Sequence, residues 1–466
     1  MPPALLLIGV LGYFALLLWL ARAVSRGSGA EGFYVGSRQS PWPVVAFGMV
    51  GTSLSGVTFI SVPGSVAVNG FTYLQIAFGQ VAGYVVIAFV LLPAYHRLRL
   101  ASIYGLLGER LGPAAQRLGS AYFVLSRTLG ATARLYLVVA VLHTLILQPL
   151  GLPFALGAAA VLVMILLYTV EGGVKALVWT DTLQTAGMLI GLIVCIALLW
   201  RPDAFAQLEA AGLSRVWVSD PMSRDFSAKA LLAGMFIAIA MTGLDQEMMQ
   251  KSLSVARLRD AQKNLLVLAV LMLAVVAAFL LLGGLLTLFA HAHGLAVKGD
   301  ALFPAVVMQH LPAWVQVVFV LALVSALLPS ADGALTALTA STCLDLLRVP
   351  PEDGRTRRRV HVTFAVLFLA LVLGFKSLDS ASMIFLILKL AGYTYGPLLG
   401  LFAFAMFTPR AVPPARLVAV CLAAPALCAV LDAGQPWGGY QIGLELLLLN
   451  GLLTWAGLRI LGRRLD

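Results

Sequence analysis

Long runs of apolar residues without a charge are the feature of this sequence that most restricts its fold. The run from Leu265 to Leu286 contains no charged side chain, and about 20 such residues in a helix span the hydrocarbon core of a bilayer. Hydrophobic residues make up 61% of the chain and charged residues 11%, whereas soluble domains have about 45–50% and about 25%. These features exclude an ordinary soluble protein and predict an all-α polytopic membrane protein.

The apolar runs and the breaks between them predict about thirteen transmembrane helices in a single membrane domain over residues 1–466. We place the helices near residues 4–24, 42–68, 72–96, 116–146, 153–170, 177–199, 228–250, 264–291, 313–346, 358–376, 380–407, 415–432 and 440–461. Most connections between them are short, so no separate soluble domain is expected.

The positions of the basic residues predict the orientation in the membrane. The chain has 31 Lys and Arg and a net charge of +11, which in a soluble protein would suggest nucleic-acid binding. Here most of these residues, including Lys251 and the group Arg355–Arg359, fall in loops assigned to the same side. Because cytoplasmic loops carry an excess of Lys and Arg, we expect the N-terminus outside, the C-terminus in the cytoplasm and a location in the cell membrane.

Two of the predicted helices contain too many weak helix formers to be regular spans. The second has glycines, a proline and hydroxyl residues between Gly48 and Gly64, and the seventh has Thr242, Gly243 and Asp245 near its end. We expect both helices to be interrupted, which exposes backbone carbonyl and N–H groups to a ligand. Close packing of small residues against a neighbouring helix is the alternative explanation of the glycines, but it does not account for the hydroxyl groups.

Interrupted helices at corresponding places in two groups of five helices are typical of transporters with inverted repeats. The sequence accordingly predicts a first repeat at 42–199 and a second repeat at 228–407. One extra helix at 4–24 precedes them, and two C-terminal helices at 415–461 follow. Such a fold binds its solute and its coupling ion near the middle of the membrane.

Polar and aromatic side chains on the second, third and fourth predicted helices are the candidates for solute binding. They are Ser53, Ser55, Thr58, Tyr73, Gln75, Phe78 and Arg134. The hydroxyl and amide groups could hold oxygen atoms of a solute, and the planar guanidinium of Arg134 matches a carboxylate. The alternatives are ordinary helix packing for Tyr73 and Phe78 and, for Arg134, snorkelling or a structural pair with a buried acid such as Asp181.

Several segments between about Glu31 and Arg410 resemble the sodium/solute symporter family and follow one another in the order found in that family. They are GFYVGSRQSPWP, SLSGVTFISVPG, YGLLGERLG, GGVKALVWTDTLQ, GLDQEMMQKSLS, SADGALTALTAS and GYTYGPLLG. The resemblance implies a leucine-transporter-like fold with a 5+5 inverted repeat. It also implies transport of a small solute, since members of the family carry sugars, amino acids, vitamins, monocarboxylates or sialic acid.

The resemblance further implies a sodium site between the second and ninth helices. Matched to the family pattern, its ligands are the backbone oxygens of Gly51, Leu54 and Ala326 and the side chains at Pro329 and Ser330. Pro329 departs from the pattern, because the family has Ser or Thr there and a proline offers no hydroxyl group. A proline at this place also removes the N–H that would bond the carbonyl of Ser325, so that oxygen could face the site instead.

Two carboxylates offer a possible second cation site. In some members of the family the aspartate that matches Asp181 binds a cation, and Asp332 lies about one helical turn beyond Pro329 on a similar face. Together the two carboxylates could bind a cation, or one of them could carry a proton. An ion pair between Asp332 and Lys389 is the structural alternative.

These observations predict a secondary active transporter that couples a small organic solute, preferably one with a carboxylate, to a cation gradient by alternating access. Na⁺ is the expected coupling ion; the alternatives are proton-coupled transport, uncoupled transport and a solute sensor. No nucleophile with an aligned base and no HExxH motif points to an enzyme. The expected partners are the solute, the cation and the lipid bilayer, with no nucleic acid and no protein partner.

Overall fold

The computed structural model describes residues 2–26, 29–54, 56–223, 226–377, 380–434 and 445–464, without the side chains of 56–57, 380–391, 434 and 464. Ser55, one of the expected solute-binding residues, lies outside the described residues, and so does the side chain of Lys389. The expectations for these two side chains therefore stay predictions.

Helices account for most of the described chain. In the first half they are α1 (Pro3–Ser25), α2 (Ala30–Val35), α3 (Trp42–Ser53), α4 (Gly56–Asn69), α5 (Tyr73–Val86), α6 (Leu92–Arg97), α7 (Gly105–Leu111), α8 (Pro113–Leu142), α9 (Phe154–Leu199) and α10 (Ala204–Ala210). In the second half they are α11 (Ser227–Ala238), α12 (Gln246–Leu253), α13 (Leu258–Ala292), α14 (Leu302–His310), α15 (Ala313–Leu327), α16 (Pro329–Ser341), α17 (Gly354–Lys376), α18 (Ser380–Phe407), α19 (Pro414–Gly434) and α20 (Glu445–Leu461). Two short antiparallel strands, β1 (Arg410–Ala411) and β2 (Arg463–Arg464), join the segment before α19 to the segment after α20.

Within the described residues, eight helical stretches are long and apolar enough to cross a bilayer, and two bent helix pairs raise that number to ten. One of the eight is α9, whose 46 residues cover two of the expected spans. Gly173 interrupts α9 with a φ of 49° and lies against the backbone of Phe33, a conformation and an approach that favour glycine. The helical membrane architecture is confirmed, whereas the count of thirteen spans and the inverted repeat stay predictions.

The surface of the helix bundle is apolar and its interior contains charges. Exposed apolar side chains occur along several spans, among them Ile8, Trp19, Ile193, Val270 and Val366. Asp181, Glu247 and Lys251 are in contrast almost completely buried. This distribution is the reverse of that in a soluble protein and agrees with an exterior in contact with lipid.

The first expected interruption lies between α3 and α4. Helix α3 ends at Ser53 and α4 begins at Gly56, and the axes of 42–53 and 58–69 differ in direction by 58°. The last turn of α3 leaves carbonyl oxygens without partners inside the helix. This helix end is therefore attractive to a cation.

The second expected interruption lies between α11 and α12. Helix α11 continues through a π-helical turn to Gly243, and α12 begins at Gln246 after a bend of 68°. The side chain of Asp245 accepts hydrogen bonds from the backbone N–H groups of Glu247 and Met248. Asp245 is thus the N-cap that starts the new helix direction.

Small residues bring the interrupted helices close to their neighbours. Gly79 on α5 and Gly234 on α11 lie so close to the opposite helix that a Cβ at either position would be 2.1 Å from a backbone carbonyl oxygen. On the other side, the N–H of Gly51 in α3 donates to the hydroxyl of Thr185 in α9 at 3.0 Å. This close packing positions the ends of α3 and α11 around a common cavity.

Candidate solute and cation site

The interrupted helices border a cavity of about 560 Å³. Small-molecule sites usually have volumes of roughly 300–1,000 Å³. The polar side chains that line this cavity include Thr52, Ser53, Thr58, Ser61, Gln75, Gln80, Ser126, Arg127, Arg134, Thr242 and Tyr395. A cavity of this size and polarity suits a small organic solute.

Most of the expected solute-binding residues line this cavity, but Phe78 does not. Those that do are Ser53, Thr58, Tyr73, Gln75 and Arg134. The ring of Phe78 is 38% exposed and stacks on Trp217 at 5.9 Å between centroids. One face of α5 lines the cavity with residues spaced four apart, namely Ile76, Gln80 and Tyr84. Phe78 lies midway between two of them in sequence and therefore on the opposite face of the helix. Phe78, one of the solute-binding candidates, therefore does not line this cavity, and its stacking on Trp217 agrees with the alternative of ordinary packing.

Arg127 is compensated by acids that follow the second interruption. Its Nε donates to Glu247 Oε2 at 2.7 Å, Nη2 contacts the same oxygen, and Asp245 Oδ2 lies 3.7 Å from Nη1. The hydroxyl of Tyr395 on α18 donates to Asp245 Oδ2 at 2.8 Å. This network joins α8, α12 and α18, and it leaves Arg127 with its charge already neutralised.

Arg134 also lines the cavity, but it makes no hydrogen bond or salt bridge with a described residue. The alternative pairing of Arg134 with Asp181 does not occur, because Asp181 is bound to Lys251. A guanidinium inside an apolar bundle is tolerable mainly when an anion, an acid or water meets it. Arg134 is thus the basic group with which this cavity can hold an anion.

Gln75 is a second polar group of the cavity without a partner among the described residues. Its side chain is fully buried, and neither its amide oxygen nor its amide nitrogen is hydrogen-bonded to a described residue. An unpaired buried group of this kind costs about 1–3 kcal/mol. A solute that offers a hydroxyl or an amide would satisfy Gln75 and gain affinity.

Asp181 and Lys251 form a buried ion pair beside the end of α3. The Nζ atom of Lys251 lies 2.6 Å from Asp181 Oδ2, donates to the hydroxyl of Thr52 at 2.8 Å and lies 3.9 Å from Glu247 Oε1. The prediction that Lys251 belongs to a cytoplasmic loop is wrong, because α12 extends beyond the bend and buries this side chain to 1% exposure. The four-residue spacing between Glu247 and Lys251 is a sequence signal that places Lys251 on the same helical face as Glu247, but it does not indicate the pairing with Asp181.

Asp332 on α16 is fully buried and has no salt bridge to a described residue. It accepts a hydrogen bond from the hydroxyl of Tyr168 at 2.6 Å. The side-chain amide of Gln184 lies within 3.3 Å of this carboxylate and also of Asp181. The structure thus brings the two expected cation-binding carboxylates together, but Lys251 already compensates Asp181.

The oxygens expected to bind sodium come from two places where helices end. Gly51 belongs to the last turn of α3, and Leu54 is the first residue after that helix. Ala326 belongs to the last turn of α15, which ends at Leu327. The hydroxyl of Ser330 donates to the carbonyl of Leu327 at 2.9 Å, which leaves lone pairs of the hydroxyl oxygen for a cation. Carbonyl and hydroxyl oxygens at two helix ends are suitable ligands for a hard cation.

The sequence is similar to those of known membrane transporters. The family model for sodium:solute symporters matches residues 33–420. The sodium/iodide cotransporter of Homo sapiens is 26% identical over 438 residues, which cover 87% of this chain and 67% of that protein. The sodium/sialic acid symporter NanT of Aliivibrio fischeri is 23% identical over 445 residues, which cover 88% of this chain and 86% of that protein.

The fold is also similar to that of a solved transporter. A Na⁺-coupled sialic acid symporter in a substrate-bound, outward-open state superposes with a TM-score of 0.87 over 99% of each chain. The two sequences are 16% identical, so this likeness concerns the fold alone. All three of these proteins are transporters, in agreement with the interpretation of this chain as a transporter rather than an enzyme.

Proposed function

Because the chain belongs to the sodium:solute symporter family, we propose that it is a secondary active transporter for a small organic solute with a carboxylate group. Na⁺ is the coupling ion, and solute and ion bind in a common region that opens alternately to the two sides of the membrane. The relatives named above carry iodide, which is an anion, and sialic acid, which is an acid. An anionic substrate is the property that we transfer to this chain.

The contrast between two arginines in one cavity carries the proposal. Arg127 is neutralised by Glu247 and Asp245, whereas Arg134 has no salt bridge to a described residue. A carboxylate bound to Arg134 would supply the paired, charge-assisted hydrogen bonds that this guanidinium lacks. The volume of about 560 Å³ and the unpaired amide of Gln75 favour an organic acid over a single small ion.

The need for a cation comes from α16. Asp332 is fully buried and has no salt bridge to a described residue, and an uncompensated buried carboxylate is strongly unfavourable. Ser330 precedes it on the same helix, and Gly51 and Leu54 offer carbonyl oxygens at the end of α3. In our proposal Asp332 provides the negative charge for one Na⁺ and replaces the hydroxyl ligand that Pro329 does not provide.

Opposite charges explain how the two ligands favour each other. A solute carboxylate adds negative charge on the side of Arg134, and Na⁺ adds positive charge at Asp332. Each ligand therefore raises the affinity for the other by the same factor, as linkage requires. Either ligand alone leaves one of these two groups, Arg134 or Asp332, without a counter-charge.

The proposal is tested with matched pairs of solutes on the purified protein. Each pair consists of a carboxylic acid and its primary amide, such as lactate with lactamide and sialic acid with its amide. The melting temperature is measured in NaCl and in choline chloride, since a ligand that binds the folded state raises it. We expect the acid to raise the melting temperature more than the amide, with the larger shift in NaCl. Equal shifts for every acid and its amide contradict the carboxylate, and equal shifts in both salts contradict Na⁺.

Transport itself is measured as uptake into liposomes of the labelled acid that gives the largest shift. We expect accumulation when Na⁺ is high outside, and no accumulation when choline replaces it. Accumulation that persists after both the Na⁺ and the H⁺ gradients have been collapsed would exclude cation symport.

A further inference from the structure

Lys251 fills the place in which a second coupling cation would have to bind. We propose that its ammonium group is a built-in cation that permanently compensates Asp181, so that the protein binds one Na⁺ although two carboxylates, Asp181 and Asp332, lie at the site. The inference rests on the proposed function for the identity of the ion, and it adds the number of ions bound.

The contacts of the ammonium group support this assignment. Nζ lies 2.6 Å from Asp181 Oδ2, 2.8 Å from the hydroxyl oxygen of Thr52 and 3.9 Å from Glu247 Oε1. The side chain of Lys251 is 1% exposed. An ammonium group has three hydrogen-bond donors and no acceptor. The oxygen atoms around it therefore stabilise its positive charge as oxygen ligands stabilise a metal cation.

Two features of the fold attract a cation to the space between the end of α3 and Asp181, and the ammonium group of Lys251 contacts both. The C-terminal end of α3 has a partial negative charge, and Thr52 belongs to its last turn. Asp181 on α9 adds a full negative charge without contact to solvent. The hydroxyl of Thr52 accepts from Lys251 and donates to Asp181 at 3.3 Å, which connects the two features through one side chain.

A sodium ion could bind to Asp181 only beside the ammonium group or in its place. Two unit charges about 4 Å apart repel with an energy that corresponds to roughly a thousandfold loss of affinity at an effective dielectric constant of about 20. Displacement of Lys251 would instead leave a buried ammonium group without its partner, which is strongly unfavourable. Neither arrangement allows Na⁺ to bind to Asp181.

Asp332 differs from Asp181 in this respect. Its described hydrogen-bond donors are the hydroxyl of Tyr168, the amide of Gln184 and the N–H of Gly333, none of which has a positive charge. Asp332 therefore keeps a requirement for a mobile cation. Lys251 compensates Asp181, and Asp332 is left to bind an ion. The number of bound Na⁺ ions is therefore limited to one.

A charge that is part of the chain stays with α12, whereas a bound Na⁺ is released on the other side of the membrane. One Na⁺ together with one monocarboxylate has no net charge. Uptake of a monocarboxylate is therefore expected to be independent of the membrane potential. Two transported Na⁺ ions would make the same uptake sensitive to it.

The test counts the Na⁺ ions bound by the purified protein, using radioactive sodium in detergent without any solute. The wild-type chain is expected to bind one ion. Lys251→Met removes the charge and keeps an unbranched side chain, and this variant is expected to bind two ions because Asp181 then needs a cation. The double variant Lys251→Met/Asp181→Asn is expected to bind one. Two ions per wild-type chain, or no additional ion in Lys251→Met, overturns the proposal.

The double variant also decides the question if Lys251→Met does not fold, because it removes both charges of the pair together. Its Na⁺ affinity is expected to stay within about twofold of the wild type, since Asp181 is not a ligand in the wild type. A loss of about tenfold or more would show that Asp181 binds Na⁺ in the wild type and would overturn the proposal.

The outcomes separate this inference from the proposed function. A wild-type chain that binds no Na⁺ contradicts Na⁺ as the coupling ion. If, even in that case, Lys251→Met binds one ion that the double variant with Asp181→Asn does not bind, this result supports the role of Lys251. Conversely, Na⁺-driven uptake of a carboxylic acid together with two ions per wild-type chain supports the transport function and rejects the built-in cation.

Discussion

Glu247 and Lys251 lie one turn apart on α12, with 3.9 Å between Oε1 and Nζ, and together they connect two groups of charges. Glu247 bonds Arg127, which lines the cavity, and Lys251 bonds Asp181 beside the end of α3. All eight residues of α12 are buried, so charges interact through a medium of low dielectric constant. A change of charge in the cavity beside Arg127 therefore alters the electrostatic potential at Asp181 through one short helix.

Arg134→Lys keeps the positive charge in the cavity but loses the planar pair of donors. We expect the affinity for a carboxylate solute to fall by about 10- to 100-fold, with a melting temperature close to that of the wild type because Arg134 has no salt bridge to a described residue. The measurement is a binding titration together with thermal unfolding. Arg127→Lys is the control and should lower the melting temperature. Unchanged affinity in Arg134→Lys would favour neutral solutes such as sugars.

Glu247→Gln removes the closest partner of Arg127. Because the pair is buried, we expect a loss of about 3–5 kcal/mol in the free energy of unfolding, measured by denaturation in detergent. The double variant Glu247→Gln/Arg127→Gln should recover part of this loss, since no uncompensated arginine remains at that position. Wild-type stability of the single variant would show that the ion pair is not needed for the fold.

Pro329→Ser restores a hydroxyl group at the first residue of α16. We expect the apparent Na⁺ affinity to rise a few-fold because an oxygen ligand returns, and the rise is limited because the serine N–H can again bond the carbonyl of Ser325. The measurement is the Na⁺ dependence of the melting temperature. If the affinity is unchanged or lower, the ion is held around Asp332 without help from position 329.

Asp332→Asn removes the carboxylate that we assign to Na⁺. The apparent Na⁺ affinity should fall by about tenfold or more, while solute affinity in choline chloride stays near that of the wild type. Asp345→Asn is the matched control, since Asp345 is also buried and accepts hydrogen bonds from Ser102 and Gln116. Equal losses of Na⁺ affinity in both variants would indicate a general effect of buried charge rather than a ligand at Asp332.

Gly234→Ala tests the close packing of α11 on α5. The added Cβ would lie 2.1 Å from the carbonyl oxygen of Ile76, so the helices must separate, and we expect a destabilisation of about 1–3 kcal/mol. Gly12→Ala is the control, because no atom lies within 4 Å of a Cβ at that position. Similar stability of the two variants in thermal unfolding would show that the contact between α5 and α11 is easily adjusted.

Much of the candidate solute site could be predicted because polar groups within apolar runs are energetically costly and therefore stand out in the sequence. Ser53, Thr58, Gln75 and Arg134 were recognisable for this reason, and they line the cavity. Phe78 could not be judged in the same way. Aromatic side chains occur in pockets, in cores and at lipid-facing surfaces. Only the orientation of α5 decides which of these surrounds Phe78.

The sequence by itself determined that the chain is a helical membrane protein and indicated where helices α3 and α11 are interrupted, because hydropathy, glycine content and capping are local properties of the chain. Only the tertiary structure decided which charges are compensated. Asp181 and Lys251 are far apart in the sequence, and they pair because α9 and α12 both pack against the end of α3. The electrostatic energy of a buried charge depends on the few ångströms around it, and those surroundings are created by the packing of distant helices.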